Sequence, residues 1–501
     1  MKSGKNNPNV IILVLDSLRA DRLSCYGHFR ETSPHIDKIR AEGILFKKCY
    51  SVTTFTFPAH VSMLTGLHTF QHGAGSNWSV IDKDIQTLSE VFRNNNYYTL
   101  WVNNNVVLQG KRGFARGFDN FIELWNVSRN KRHYKIRIKR MIDHYFGQES
   151  SAWRMAANLS KRLKWLKRDS YRFQGDKGGE QTIRIFKEKI STLAGNNTPF
   201  FFFANFLDTH IPHFPPERYK NLYLGNRKIS RNLFRLMDNV FDWYEGRIHL
   251  DKEDWFALNA LYDAKINYVD DLIGDLYSTL EAHDILDNTI LVIASDHGEM
   301  LGEHNFINHG WNMFEGNIRI PLIIRFPQKL DKGSDDDNLL QISDLFHILC
   351  RLAGVESDIA DRNTSDTSIM DDGLFRHRKF IVADEPPIQY TAQFKDYPNF
   401  LSKYNYGLRM ILEDNYKYIW RTDGQHMLFN LRSDAGEKNN LYREESDMAK
   451  RLHDRMVDWY RQFDAEFDIK EYRMNVMRRV QDISEDENME IEKQLKRLGY
   501  L

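Results

Sequence analysis

A chain of 501 residues, 42% apolar and 28% charged, is more than one simple core holds and is not the composition of a disordered polymer. Lys+Arg and Asp+Glu both total 69, so no net charge steers the molecule toward nucleic acid or any other partner of one sign. Three widely spaced cysteines, Cys25, Cys49 and Cys350, exclude a disulfide framework and a CxxC metal site and fit a reducing compartment.

The polar segment Met1 to Asn9 lacks the apolar stretch of a signal peptide, and the longest apolar runs are too short to cross a bilayer. A cytoplasmic location is expected. Residues 10–15 form a β-branched apolar run that reads as a buried parallel strand and stops at Asp16. Apolar spacing of three to four residues predicts helices over 36–42, 88–94, 180–193 and 257–282. Residues 200–206 and 289–295 read as further strands, ending near Asp208 and His210 and at Asp296-His297, and 321–326 as a fourth. Strands alternating with helices predict an α/β sheet with helices on both faces. In such sheets ligands bind in the crevice at the carboxyl ends of the strands. Three strand ends carrying Asp or His therefore point to one shared site.

Residues 125–172 carry fourteen Lys/Arg against three Asp/Glu and read as a basic helical insertion, about 125–175. Within it, 161–168 has the pattern of a basic amphipathic helix. Two readings stay open: a solvated face beside the site, or contact with an anionic surface through 129–172. Residues 331–338 read as an acidic loop, and the composition loosens from 357 to 378, which predicts a boundary near 375. Strands follow within 405–432 and a helix over 448–460, in a small sheet-helix unit spanning 376–463. The charged stretch 464–501 is expected to be a helical tail. Nothing in the sequence fixes the oligomeric state.

Three constellations carry chemistry. Asp16, at a strand end, suits a hard divalent cation, with Asp21 nearby to cap a helix or pair with Arg22. Thr56 and His60 precede Leu64-Thr65-Gly66; Thr56 also suits the start of a helix before Pro58. Asp296-His297-Gly298-Glu299 leads to Glu303-His304, then His309, then Phe314-Glu315. Glu299 and His304 are read as ordering this loop, and His28 and His72 as surface or local hydrogen-bonding residues.

On these residues the chain resembles the sulfatase family of the alkaline-phosphatase superfamily, over 9–66, 200–219 and 262–327. The resemblance implies a catalytic domain over 1–375 with a large, mostly parallel sheet, and a smaller C-terminal α+β domain. It implies Asp16, Thr56, Asp296 and His297 as ligands of a divalent ion (Mn, Ca or Zn, one site). A second zinc would draw on Asp208, His210 and His309. The family's nucleophile lies ten residues before the glycine of its Leu-Thr-Gly motif, at Thr56 here. His210 and His309 match groups that contact the substrate or leaving group, and His60 stands where the family has Arg. Thr cannot become the formylglycine of sulfatases, Ser17 replaces a frequent second Asp, and Gly310 replaces a common Lys. Relatives that transfer phosphoryl groups use an unmodified Thr. The resemblance thus implies an anionic ester substrate, with hydrolysis of a phosphate ester expected, a phosphodiester ahead of a phosphomonoester. The alternatives are a sulfate ester cleaved without formylglycine, a phosphoryl transferase and a non-enzymatic binding module.

Overall fold

The computed structural model describes residues 7–75, 80–125, 175–196, 198–357, 369–371, 375–387 and 394–463. The expected basic insertion and charged tail lie outside these residues, apart from the ends of the former. The first apolar run forms β1 (Asn9–Leu15). Its side chains alternate between two cores: Ile11, Leu13 and Leu15 enter one, and Val10, Ile12 and Val14 the other. That is the signature of a strand covered on both faces, and it explains why the run is continuously apolar rather than alternating. Full burial of each such side chain is worth about 1.5–3 kcal/mol.

The same logic builds β3 (Tyr98–Asn103), β5 (Phe200–Phe206) and β6 (Thr289–Ala294), while β2 (Ile44–Tyr50) leaves Lys47 and Lys48 half-buried and β4 (Asn120–Glu123) is a partly exposed edge strand. Two short strands, β7 (Met300–Leu301) and β8 (Ile307–Asn308), pair apart from the main sheet. The main sheet is completed by β9 (Arg319–Ile320), β10 (Leu322–Arg325), β11 (Ser334–Gln341), β12 (Ile369–Asp371) and β13 (Arg376–Arg378). Its order is β12-β13-β11-β2-β10-β6-β1-β5-β3-β4, with β9 on β2. From β6 through β4 the neighbours run parallel.

Two expectations change. The fourth run, β10, lies antiparallel between β6 and β2. The acidic stretch 331–338 is largely strand: β11 pairs with β2, with a register shift between Asp336 and Leu339. Its backbone ladder overrides the composition, and its acids are paired: Asp335 with Arg40 and Lys47, and the largely buried Asp336 with His377.

The long helix Lys252–Ala282 packs on one face of the sheet and starts with a capping box at Asp251 and Asp254. A second, antiparallel sheet follows: β14 (Phe380–Glu385), β15 (Leu408–Glu413), β16 (Tyr416–Arg421) and β17 (Met427–Asn430). The helix Ser446–Arg461 lays Leu452, Met456 and Trp459 into its core. Among the described residues no helix is long and apolar enough to cross a membrane.

Candidate active site

Strand register assembles the site. Val14 of β1 pairs with Ala294 of β6 in parallel, so Asp16 and Asp296, each two residues on, emerge side by side. The chain then turns through Ser17, at φ +62°, which aims the Ser17 N–H at Asp296 Oδ1 (3.2 Å). Asp16 accepts from Asn105 Nδ2 at 2.8 Å, Asn205 Nδ2 at 3.4 Å and Ser17 Oγ at 3.2 Å. Asp296 Oδ2 has no hydrogen-bond partner among the described residues. Burial raises both carboxyls to about 7; the neighbouring Asp296 adds to the shift of Asp16, and backbone N–H donors oppose that of Asp296.

His297 Nδ1 donates to the Gly298 carbonyl (2.9 Å), which leaves Nε2 facing Thr56 Oγ1 at 3.0 Å. Gly298 must be glycine: a β-carbon there would collide with the Gly316 carbonyl. Thr56 opens the helix Thr56–Thr65, but Phe55 is its N-cap and no side chain caps it. The Thr56 hydroxyl is therefore turned to His297 rather than to the helix end. One turn later His60 donates from Nδ1 to the Thr56 carbonyl (2.8 Å) and accepts at Nε2 from Asn205 (3.2 Å). Burial holds this ring neutral, at about 3.

Asp16, Asp296 and His297 offer ligand atoms within 4.8 Å of one another. Asp296 has His60 at 3.6 Å and His297 at 3.5 Å, both rings kept neutral by burial. Two adjacent buried carboxylates, one with an orphaned oxygen, beside a neutral imidazole fit a hard or borderline divalent cation.

His309 lies over His297, ring centroids 4.2 Å apart. Its Nδ1 donates to the Thr54 carbonyl (3.0 Å) and its Nε2 meets His210 Nε2 at 3.1 Å. His210 Nδ1 donates to the Ile211 carbonyl (2.5 Å). Asp208 turns elsewhere, accepting from the Lys177 backbone at 2.8 Å and pairing with Lys265 at 3.3 Å. Asp21 pairs with Arg19 at 2.7 Å rather than with Arg22. His304 stacks on Phe314, His28 bonds Asp263 and His72 bonds Ser62, all outside the cluster. His72 is buried, not a surface residue.

Several site residues escape a reading of motifs. Asn105 and Asn205 hold Asp16. The run Tyr98 to Val102 followed by three asparagines was a fourth strand-end signal of the same kind. Lys177 Nζ donates to the His210 carbonyl, and burial, then Lys265, pull it down to about 7. Glu299 is fully buried, and neither of its carboxylate oxygens makes a hydrogen bond among the described residues.

Comparison with known families agrees with this architecture. The sulfatase family model matches residues 8–355, more than half of the chain. The chain belongs to the sulfatase family. A second model, N-sulphoglucosamine sulphohydrolase, C-terminal, matches 302–462. Among curated sulfatases, the uncharacterized sulfatase YidJ of Escherichia coli is 24% identical, covering 90% of this chain and 87% of its own. The N-acetylglucosamine-6-O-sulfatase of Bacteroides thetaiotaomicron is 23% identical, covering 88% and 84%. A solved phosphonate monoester hydrolase of Agrobacterium radiobacter superposes with a TM-score of 0.66 at 19% identity, covering 91% of this chain and 96% of that one. This sulfatase-family chain is thus a hydrolase of the alkaline-phosphatase superfamily, whose enzymes are generally metal dependent.

Proposed function

We propose that this enzyme cleaves phosphate esters, with Thr56 as nucleophile at a centre held by Asp16, Asp296 and His297. The observation that carries the reading is the Thr56 hydroxyl, buried and 3.0 Å from His297 Nε2. A hydroxyl spent on helix capping would face the helix N–H groups instead.

Asp16, Asp296, His297 and Thr56 would hold a divalent cation, which would supply positive charge worth several kcal/mol to the attacking oxygen and the ester's equatorial oxygens. Thr56 Oγ1 attacks phosphorus as the ester oxygen leaves opposite it, giving a phosphothreonine and an alcohol. Water then cleaves the Thr–O–P linkage and restores the hydroxyl. Asn105 and Asn205 fix the Asp16 carboxylate, and His60 braces the Thr56 carbonyl. His210 and His309 both give their Nδ1 hydrogens to backbone carbonyls, which turns their Nε2 atoms toward each other at 3.1 Å. Burial draws both rings well below the ordinary histidine range, so near neutral pH neither holds an extra proton, and the pair serves to relay to the departing oxygen the proton that Thr56 gives up.

Phosphate is favoured over sulfate because the methyl on Cβ of Thr56 bars the aldehyde that sulfatases form there. The second reading, sulfate-ester cleavage, is favoured by the sulfatase names of the curated relatives. Paired aryl phosphate, phosphonate and sulfate substrates separate the two, with intact-mass detection of an adduct on Thr56. A phosphoryl adduct, and a kcat loss of at least about 10³-fold in Thr56→Ala, are expected. Aryl sulfate turnover well above phosphate turnover would reverse the order, and an active Thr56→Ala would end the nucleophile assignment.

A further inference from the structure

The second sheet reaches the helix that carries Thr56 through two consecutive carboxylates at the end of β14. Asp384 donates its backbone N–H to the Val52 carbonyl (3.0 Å), and its carboxylate accepts from the Thr69 hydroxyl and from Tyr460 (3.4 Å). Glu385 accepts the Thr54 hydroxyl on one oxygen and the Trp311 N–H on the other, at 2.6 Å. The helix Thr56–Thr65 is thereby held just before its first residue and just after its last.

Glu385 makes the more consequential contacts. Thr54 lies two residues before Thr56, and Trp311 two residues after His309. The Thr54 carbonyl already receives the His309 Nδ1 hydrogen at 3.0 Å. One carboxylate therefore fastens both segments that carry reacting side chains. Trp311 sits at φ +58°, a conformation that disfavours a bulky residue, and its N–H points at Glu385 there. Glu385 is buried, and among the described residues no cationic side chain pairs with it. For stability alone such a site favours an apolar residue.

We infer that Glu385 is a positioning residue: through Thr54 and Trp311 it fixes the distance between the Thr56 hydroxyl and the His309 imidazole. This rests on the reading of Thr56 as nucleophile. Displacing a reacting group by about 1 Å costs on the order of 10²-fold in rate.

The test uses the full chain, its best aryl ester, steady-state kinetics and thermal melting, with Thr56→Ala measured alongside. Glu385→Gln keeps an oxygen for Trp311 and an amide for Thr54, and is expected to hold kcat within about threefold. Glu385→Asp is one methylene too short to span both segments. Thr54→Val removes only the nearer partner. Both are expected to lower kcat about 10- to 100-fold with KM changed less than about threefold. Wild-type kcat in folded Glu385→Asp, a loss confined to KM, or an equal loss in Glu385→Gln would overturn the inference. If Glu385→Asp does not fold, wild-type kcat in Thr54→Val overturns it by itself. Turnover surviving in Thr56→Ala instead removes the nucleophile reading, whatever the Glu385 variants do.

Discussion

Two sets of buried carboxylates sit in the same large sheet region and are treated in opposite ways. Asp344 is clasped by both arms of Arg378, at 2.7 and 2.8 Å, and Asp263 faces Arg30 at 2.6 Å and Arg22 at 3.5 Å. Asp16 and Asp296 are instead surrounded by amides, a hydroxyl and imidazoles held neutral. Acids that serve the fold bring their counter-charge with them from the chain. Asp296 has these neutral imidazoles and no arginine or lysine in contact among the described residues, which suits the cation proposed for that centre.

The contrast breaks or sharpens with single substitutions. Arg378→Ala strands Asp344 in the interior and should cost about 3–5 kcal/mol by chemical denaturation. A loss below about 1 kcal/mol would mean that the chain's own counter-charge is not what keeps Asp344 inside. A divalent cation at a hundred times its Kd should stabilise the wild type by about 2.7 kcal/mol. Asp296→Asn should abolish that gain while leaving the metal-free protein equally or more stable, because it removes a poorly balanced charge. A metal-free Asp296→Asn that melts well below wild type would place Asp296 with Asp344 rather than apart from it.

pH sharpens the same comparison. The two strand-end carboxyls are raised to about 7 from 3.8, so the metal-free folded chain binds more protons than the unfolded one between those values. Metal-free stability should therefore fall as pH rises from about 4 through about 7 and level off above. Cation binding should follow the opposite course, stronger at pH 8 than at pH 6, since the cation must displace those protons. Melting curves at several pH values with and without cation check both limbs. The smallest effect belongs to exposed pairs such as Lys38–Glu281, 3.1 Å apart; Glu281→Ala should shift stability by less than about 0.5 kcal/mol.

Much of the architecture could be read from the chain because buried parallel strands announce themselves as unbroken apolar runs. The ends of β1 and β6 carried their acids in plain view, and Thr56 followed from its distance to Gly66. Other parts could not be read that way. The direction of β10 depends on which neighbours it meets, and an apolar run carries no arrow. β11 opens with polar residues because its ladder bonds are backbone bonds, indifferent to side-chain charge. Asn205 and Glu385 act through residues distant in sequence, so their spacing leaves no local mark, whereas Asn105 sat at a strand end whose signal lacked the Asp or His of the other three. His60 was visible, but its attachment to Thr56 and Asn205 came only with the folded geometry.

The pairing of β1 with β6 also sets an order of assembly. Asp16 leaves the ribosome early, whereas Asp296 follows 280 residues later, a wait of roughly tens of seconds during synthesis. Until then β1 lacks a neighbour on one side, and the hydroxyl of Thr56 has no imidazole to meet. On the proposed reading, a nascent chain holding only its first half lacks Asp296, His297 and His309, and the centre is completed only after the strand ending at Ala294 and the segment through His309 have joined it.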